Sequence, residues 1–196
     1  DDYFVPPCFV QGTRIETPTG PVPVEGLSTG DLVTTLDHGP RPVKWIGHVS
    51  FTRDALEHDA RLWPVEVVTP GQPLRVSPQH RVLFGGWSAE MTCGEGVLVA
   101  AKHVAEAGRA RIVSPKELGP AGVCYWHILF DRHEIVFSEG IPTESFCPGE
   151  HTRRWMPDAY AGFARFLPNR RGVTHGFVTA RRCATRHEAL LVAEGF

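Results

Sequence analysis

From Cys8 to about Phe146, short β-branched runs are cut again and again by proline and glycine, which number 17 and 20 in this chain of 196 residues. Proline lacks the amide a helix interior needs and glycine costs helix stability, so this punctuation argues against long helices and for short strands joined by turns. The stretch "TRIETPTGPVPVEGL" alternates and turns at Pro18 to Gly20, and "DLVTTLDHGPRPVKWIGHV" turns at Asp37 to Pro40. "LRVSPQHRVLF" and "HILFDRHEIVF" are each short and bounded, while "AAKHVAEAG" has room for two turns of helix between strands. The expected fold class is all-β.

After Gly149 the texture changes. Trp155, Tyr160, Phe163, Phe166 and Leu167 fall at helical spacing, which predicts a short amphipathic helix docked on the body. In "TRHEALLVAEGF", Thr185 stands three residues ahead of Glu188, a capping box before an apolar run. The expected organisation is an upstream remnant over residues 1–7, a β domain over 8–149 and a short helical C-terminal extension over 150–196.

Lys+Arg at 20 nearly balance Asp+Glu at 22, so no long-range field draws the chain to nucleic acid or an anionic surface. No window is apolar for long enough to cross a bilayer, and "DDYFVPP" has neither the basic region nor the apolar run of a secretory signal. Neither nucleic acid nor a membrane span is expected. Cys8, Cys93, Cys124, Cys147 and Cys183 are scattered, with no Cys-x-x-Cys pair and no tight Cys/His spacing, so no metal is expected. Four of them read as small buried hydrophobes, and Trp45, Trp63, Trp87 and Trp126 as core and rim packing. Cys8 stands apart, directly behind Pro6 and Pro7 at the threshold of the first strand.

A cysteine thiol can attack the carbonyl of the residue before it, here Pro7, through a five-membered ring that exchanges the amide for a thioester. The equilibrium favours the amide, so a protein using this chemistry must polarise the bond, stabilise an oxyanion and protonate the leaving nitrogen. It needs a histidine and a hydroxyl near Cys8. "VSPQH", residues 76–80, places Ser77 and His80 three apart across a proline, a spacing at which a tight turn directs both side chains to one point. Solvated loop residues are the plainer reading of that pair taken alone.

"CFVQGTRIETPTGPVPVEGLSTGDLVTTLD", followed downstream by "VSPQHRVLF", resembles the Hint superfamily of hedgehog C-terminal domains and inteins. Within it, the chain is similar to a bacterial Hint-like family with a Ser-Pro-Gln-His box and a "DRHEIVFSEG"-like segment. Cys8, Thr13, Ile15, Gly20, Val24, Leu27, Gly30, Asp31 and Val33 carry the first block, and the likeness spans roughly residues 8–149. It implies an all-β horseshoe of two pseudo-symmetric halves with Cys8 at a central cleft. It also implies roles: Cys8 as nucleophile of an N-to-S acyl shift, His80 as the acid that protonates the departing nitrogen, and Ser77 as a donor to the scissile peptide. His133 resembles the histidine that assists C-terminal cleavage in inteins, with Asp131 two residues before it as its orienting partner; polar residues of a hairpin turn are an equal reading of "DRHE". His48 falls near the general base of hedgehog domains and reads more simply as a solvated strand histidine.

The chain departs from the intein pattern at "SEGIPTESF", which has no Asn to cyclise, so full splicing is not expected. Proline as the residue under attack adds a rigid ring beside the carbonyl. The resulting expectation is cleavage of the Pro7–Cys8 bond by thioester transfer to an external nucleophile (water, a thiol or an amine), with the upstream segment as substrate and no cofactor. One alternative is an inactive Hint fold serving as a structural or interaction module. The other is a cysteine hydrolase acting in trans through Cys8 and His80.

Overall fold

The computed structural model describes residues 5–85, 96–149, 152–153, 156–167, 169–170, 173–174 and 177–194, so Trp87, Cys93 and Trp155 lie outside the described residues. Its strands are β1 (Phe9–Val10), β2 (Arg14–Thr17), β3 (Gly20–Pro23), β4 (Leu32–Thr35), β5 (Gly39–Pro42), β6 (Trp45–Phe51), β7 (Val65–Val67) and β8 (Leu74–Val76). There follow β9 (Arg81–Phe84), β10 (Val97–Ala100), β11 (Ala110–Ile112), β12 (Val123–Leu129), β13 (Ile135–Ser138) and β14 (Ile141–Glu144). The turns expected at Pro18 to Gly20 and Asp37 to Pro40 join β2 to β3 and β4 to β5, and Gly20 and Gly39 take the positive φ those turns need. The helices are short: α1 (Arg53–His58), α2 (Ala101–Glu106), α3 (Pro115–Leu118), α4 (Pro157–Phe163) and α5 (Arg186–Glu194). The "AAKHVAEAG" stretch supplies α2.

Two antiparallel sheets form the body. One runs β11-β7-β8-β1-β12-β6, and the other β10-β9-β14-β13-β2-β3, with β4 and β5 attached through β13. Between them lies the largest apolar cluster, to which Phe9, Val76 and Ile128 contribute from the first sheet and Ile15, Val82 and Val136 from the second. Each such side chain contributes about 1.5–3 kcal/mol when fully buried. The outer face of the first sheet carries a second cluster, where Val5, Cys8, Val123 and Tyr125 meet Leu56 of α1 and Leu62.

The "DRHE" segment is not a hairpin turn. It carries the chain from β12 in one sheet to β13 in the other, and His133 and Glu134 are buried. The C-terminal segment packs on the body through both of its described helices. Phe163 of α4 meets Trp45 edge-on with ring centroids 5.0 Å apart, and α5 lays Ala189 and Val192 against Val97, Val99 and Val104. The box read from Thr185 and Glu188 is formed, with Glu188 Oε2 2.9 Å from the Thr185 amide and the Glu188 amide 3.4 Å from Thr185 Oγ1.

Strand β12 lies between β1 and β6, and its entry is set by Gly122 at a φ of +77°. A Cβ there would collide with the Phe51 carbonyl oxygen and lie 2.9 Å from the Arg53 amide. Gly122→Ala is therefore expected to destabilise the fold by about 2 kcal/mol or more. Urea unfolding checks this: the midpoint should fall at an unchanged slope, and an unchanged midpoint contradicts the packing described.

Candidate active site

Antiparallel register places three residues in one row. Phe9 of β1 pairs with Val76 of β8 on one side and Trp126 of β12 on the other. One step back along β1 is one step forward along both neighbours, so Cys8 falls between Ser77 and His127, and the Ser77 amide donates to the Cys8 carbonyl at 3.0 Å. Alternation of side chains across a strand puts Cys8 and His127 on the same face.

Both ends of the Pro7–Cys8 bond are held within this row. The Cys8 amide donates to Ser77 Oγ at 3.1 Å, and the Ser77 hydroxyl donates to the Pro6 carbonyl at 2.9 Å. His127 Nδ1 lies 3.1 Å from the Pro7 carbonyl oxygen. A carbonyl oxygen can only accept, so Nδ1 carries the proton and Nε2 is left bare. That bare nitrogen sits 3.6 Å from Cys8 Sγ, while the thiol also reaches the Pro6 carbonyl at 2.8 Å. One imidazole thus faces the thiol with its acceptor and the Pro7 carbonyl with its donor.

The row is dry. Cys8 and His127 have no exposed surface. Burial pushes the Cys8 thiol well above its ordinary value, with the Ser77 hydroxyl opposing and Glu144 adding to the rise. Burial likewise holds His127 down to about 4, although its bond to Pro7 pulls the other way. The ring is flanked by aromatic side chains, Phe146 at 4.8 Å and Trp45 stacked at 6.4 Å.

The residues expected from sequence are distributed differently. Ser77 is beside Cys8, and the predicted turn exists, closed by the His80 amide donating to the Ser77 carbonyl at 3.0 Å. The His80 ring, however, packs against Phe9 at 4.5 Å, and neither of its nitrogens has a hydrogen-bond partner among the described residues. The contact expected between His80 and the Cys8 amide is not made; Ser77 Oγ takes that amide instead. Burial holds His80 down to about 4.

His133 is 3% exposed and belongs to a second group. Its Nδ1 accepts from the Ala180 amide at 2.8 Å, so the proton of the neutral ring is on Nε2, which lies 3.2 Å from Glu144 Oε2, off the line of a good hydrogen bond. Glu144 also takes the Arg81 amide at 2.8 Å and its guanidinium at 3.1 Å. Burial raises the Glu144 carboxyl, but His133 and Arg81 outweigh it and leave the group below its ordinary value. Asp131 does not orient His133, because its carboxylate faces Arg41 at 2.6 Å. Glu144 takes the place expected of it. His48 is exposed and stacks on Trp126 at 4.6 Å, on the face of the sheet away from Cys8 and His127.

His127 was not among the sequence candidates. It is the one ionisable imidazole within "VCYWHILF", a run whose apolar character fits a central strand, and only the register of β1 against β12 connects it to Cys8.

The sequence profile described as Hint domain matches residues 7–150, and the chain belongs to the Hint domain family. Its two-sheet architecture is the all-β Hint fold, that of a self-processing domain in general. Among solved structures it is similar to a bacterial intein-like domain from Clostridium thermocellum, at 14% identity over 71% of this chain and 97% of that one, with a TM-score of 0.44. It is also similar to the MchDnaB-1 intein, at 19% identity over 69% and 98% of the two chains (TM-score 0.42). For a DnaB intein from Synechocystis sp. PCC 6803 the values are 8% identity over 71% and 98% (TM-score 0.42). No curated protein matches the chain.

His80 and His127 make stability depend on acid. Each is neutral in the folded state down to about pH 4, whereas a histidine in the unfolded chain takes up its proton near 6.5. The unfolded chain therefore binds more protons between these values, so stability is fully present above about pH 6.5 and falls as pH drops toward 4, by about 3 kcal/mol per histidine. Chemical unfolding at pH 7.0 and 4.5 should show this loss, most of it absent in the double variant His80→Gln/His127→Gln. Equal stability at both pH values contradicts neutral burial.

Proposed function

We propose that this domain cleaves its own Pro7–Cys8 bond through a thioester and transfers the upstream segment to an external nucleophile. The observation that carries the reading is the row Ser77–Cys8–His127, which holds the amide and the carbonyl of one peptide bond while a bare imidazole nitrogen faces the thiol. Residues 1–7 act in it as the upstream segment, 8–149 as the Hint domain and 150–196 as an extension.

The thiol proton passes to His127 Nε2 as Sγ bonds to the Pro7 carbonyl carbon, and the developing oxyanion keeps its bond to Nδ1–H of what is now an imidazolium. Sulfur and nitrogen then share one tetrahedral carbon. The proton on Nε2 is returned to nitrogen as the carbon–nitrogen bond breaks, leaving the Pro7 thioester and a free Cys8 amine. Water, a thiol or an amine attacks that carbonyl and releases the Cys8 thiol. Ser77 keeps the amide in line, and no cofactor enters a balanced scheme of this kind. The acid role expected of His80 passes to His127 in this arrangement, and His80, neither of whose nitrogens is bonded among the described residues, is kept as a second acid that its own variant tests. His133 with Glu144 positions the end of β12 and the start of β13; Asp131 has no part.

The inactive-module alternative draws support from burial, because a protonated, enclosed thiol beside a weakly basic histidine is unreactive at rest. A hydrolase acting in trans draws none, since Cys8 has no exposed surface for a second substrate to meet.

A fusion with a reporter protein ahead of Asp1, incubated with dithiothreitol or hydroxylamine and read by intact mass, tests the proposal. Wild type should release a reporter ending at Pro7, Cys8→Ala none, and His127→Ala should be slowed about 100-fold or more. His80→Ala slowed as much restores its role as the acid. A folded wild type that stays uncleaved contradicts self-processing and leaves the interaction module.

A further inference from the structure

Residues 5–7, directly before Cys8, are buried as a unit. Val5 is 4% exposed, and Pro6 and Pro7 are buried with it. Val5 enters the apolar cluster on the outer face of the first sheet, among Leu56, Leu62, Val123 and Tyr125, with Trp63 at the rim. The wall of this pocket is fixed from two sides. Trp63 Nε1 donates to the Leu56 carbonyl at 2.6 Å, and the Tyr125 hydroxyl donates to the Leu62 carbonyl at 2.7 Å. Helix α1, which carries Leu56, is capped by Thr52 Oγ1 accepting from the Ala55 amide.

The polar groups of the segment are matched as closely. Pro6 and Pro7 have no amide proton, so what they bury is two carbonyls, and both are bonded: Pro6 to Ser77 and Cys8, Pro7 to His127. Any other residue at those positions would bring a buried N–H, and an unpartnered buried donor is costly. The prolines also hold Val5 and Pro6 extended, so the Val5 side chain reaches its pocket at a fixed distance from the scissile bond with little entropy left to lose.

We propose that the pocket walled by Leu56, Leu62 and Trp63 is the specificity site of the self-processing reaction. It selects upstream polypeptides ending in a compact β-branched apolar residue followed by two prolines. This rests on the cleavage reading above and deepens it, because the bond is presented to His127 only while Val5 occupies the pocket. Pro7 is then part of the recognised sequence and not an obstacle to attack.

The test uses the reporter fusion of the full chain with Val5→Thr, which keeps the shape and adds a hydroxyl, and Val5→Asp. Val68→Thr, the same change at a residue 80% exposed, is the control. Val5→Thr should slow thiol-induced release about tenfold or more, Val5→Asp further, and Val68→Thr not at all. Iodoacetamide labelling of Cys8, read by peptide mass before cleavage, gives an independent measure: protected in wild type and Val68→Thr, labelled at least tenfold faster in both Val5 variants. Near-ultraviolet circular dichroism identifies which chains are folded, and Val5→Thr carries the test should Val5→Asp unfold. Release and labelling of Val5→Thr at wild-type rates overturn the pocket alone. A wild type that never cleaves, with Cys8 still deprotected by Val5→Thr, overturns self-processing and with it the specificity role, while leaving the docking in place.

Discussion

The structure depends on the register of a two-residue strand. Phe9 pairs with Val76 of β8 on one side, Phe9 and Val10 pair with β12 on the other, and this pairing alone brings a hydroxyl, a thiol and an imidazole into one row. A slip of one residue would turn Cys8 to the other face of the sheet and away from His127. The register is secured by Phe9 in the central core and by Val5, Val10 and Tyr125 on the outer face. One face of this short strand thus packs only into the core, while the other packs and also carries Cys8.

Burial gives the site its resting character. The same dry surroundings that raise the Cys8 thiol and lower His127 separate their proton affinities, so transfer from one to the other is unfavourable until charge develops on the Pro7 oxygen. In the proposed reaction a preorganised Nδ1–H at that oxygen acts where the charge appears, and a low-dielectric site strengthens it. The C-terminal segment contributes to the enclosure, because Phe163 of α4 packs on Phe146 and Trp45, the two rings that flank His127. A second fixed group lies behind it, where the Ala180 amide holds His133 toward the buried Glu144.

Much of this was legible in the sequence for physical reasons. Proline and glycine mark turns, so the hairpins at Pro18 to Gly20 and Asp37 to Pro40, the short α2 and the capping box at Thr185 could all be read locally. Cys8 and Ser77 were visible through the chemistry of a thiol next to its own amide. His127 was not, since its pairing with Cys8 spans 119 residues and arises from strand register, which no local pattern encodes. His80 and Asp131 were misplaced for the same reason. Their sequence spacing suggested partners at Cys8 and His133, while tertiary packing took the His80 ring to Phe9 and the Asp131 carboxylate to Arg41. Pro7 looked like an obstacle in isolation, and only the burial of the segment shows why a residue without an amide proton suits it.

The central claim is that His127 holds the scissile carbonyl with Nδ1–H and offers a bare Nε2 to the thiol. Nitrogen-15 histidine NMR of the intact chain, with Cys8→Ser to prevent turnover and His127 assigned by substitution, tests it most directly. The account predicts the Nδ1–H tautomer at pH 7, a through-hydrogen-bond coupling to the Pro7 carbonyl carbon, and a titration midpoint near 4. An Nε2–H tautomer, or free titration near 6.5, would contradict it.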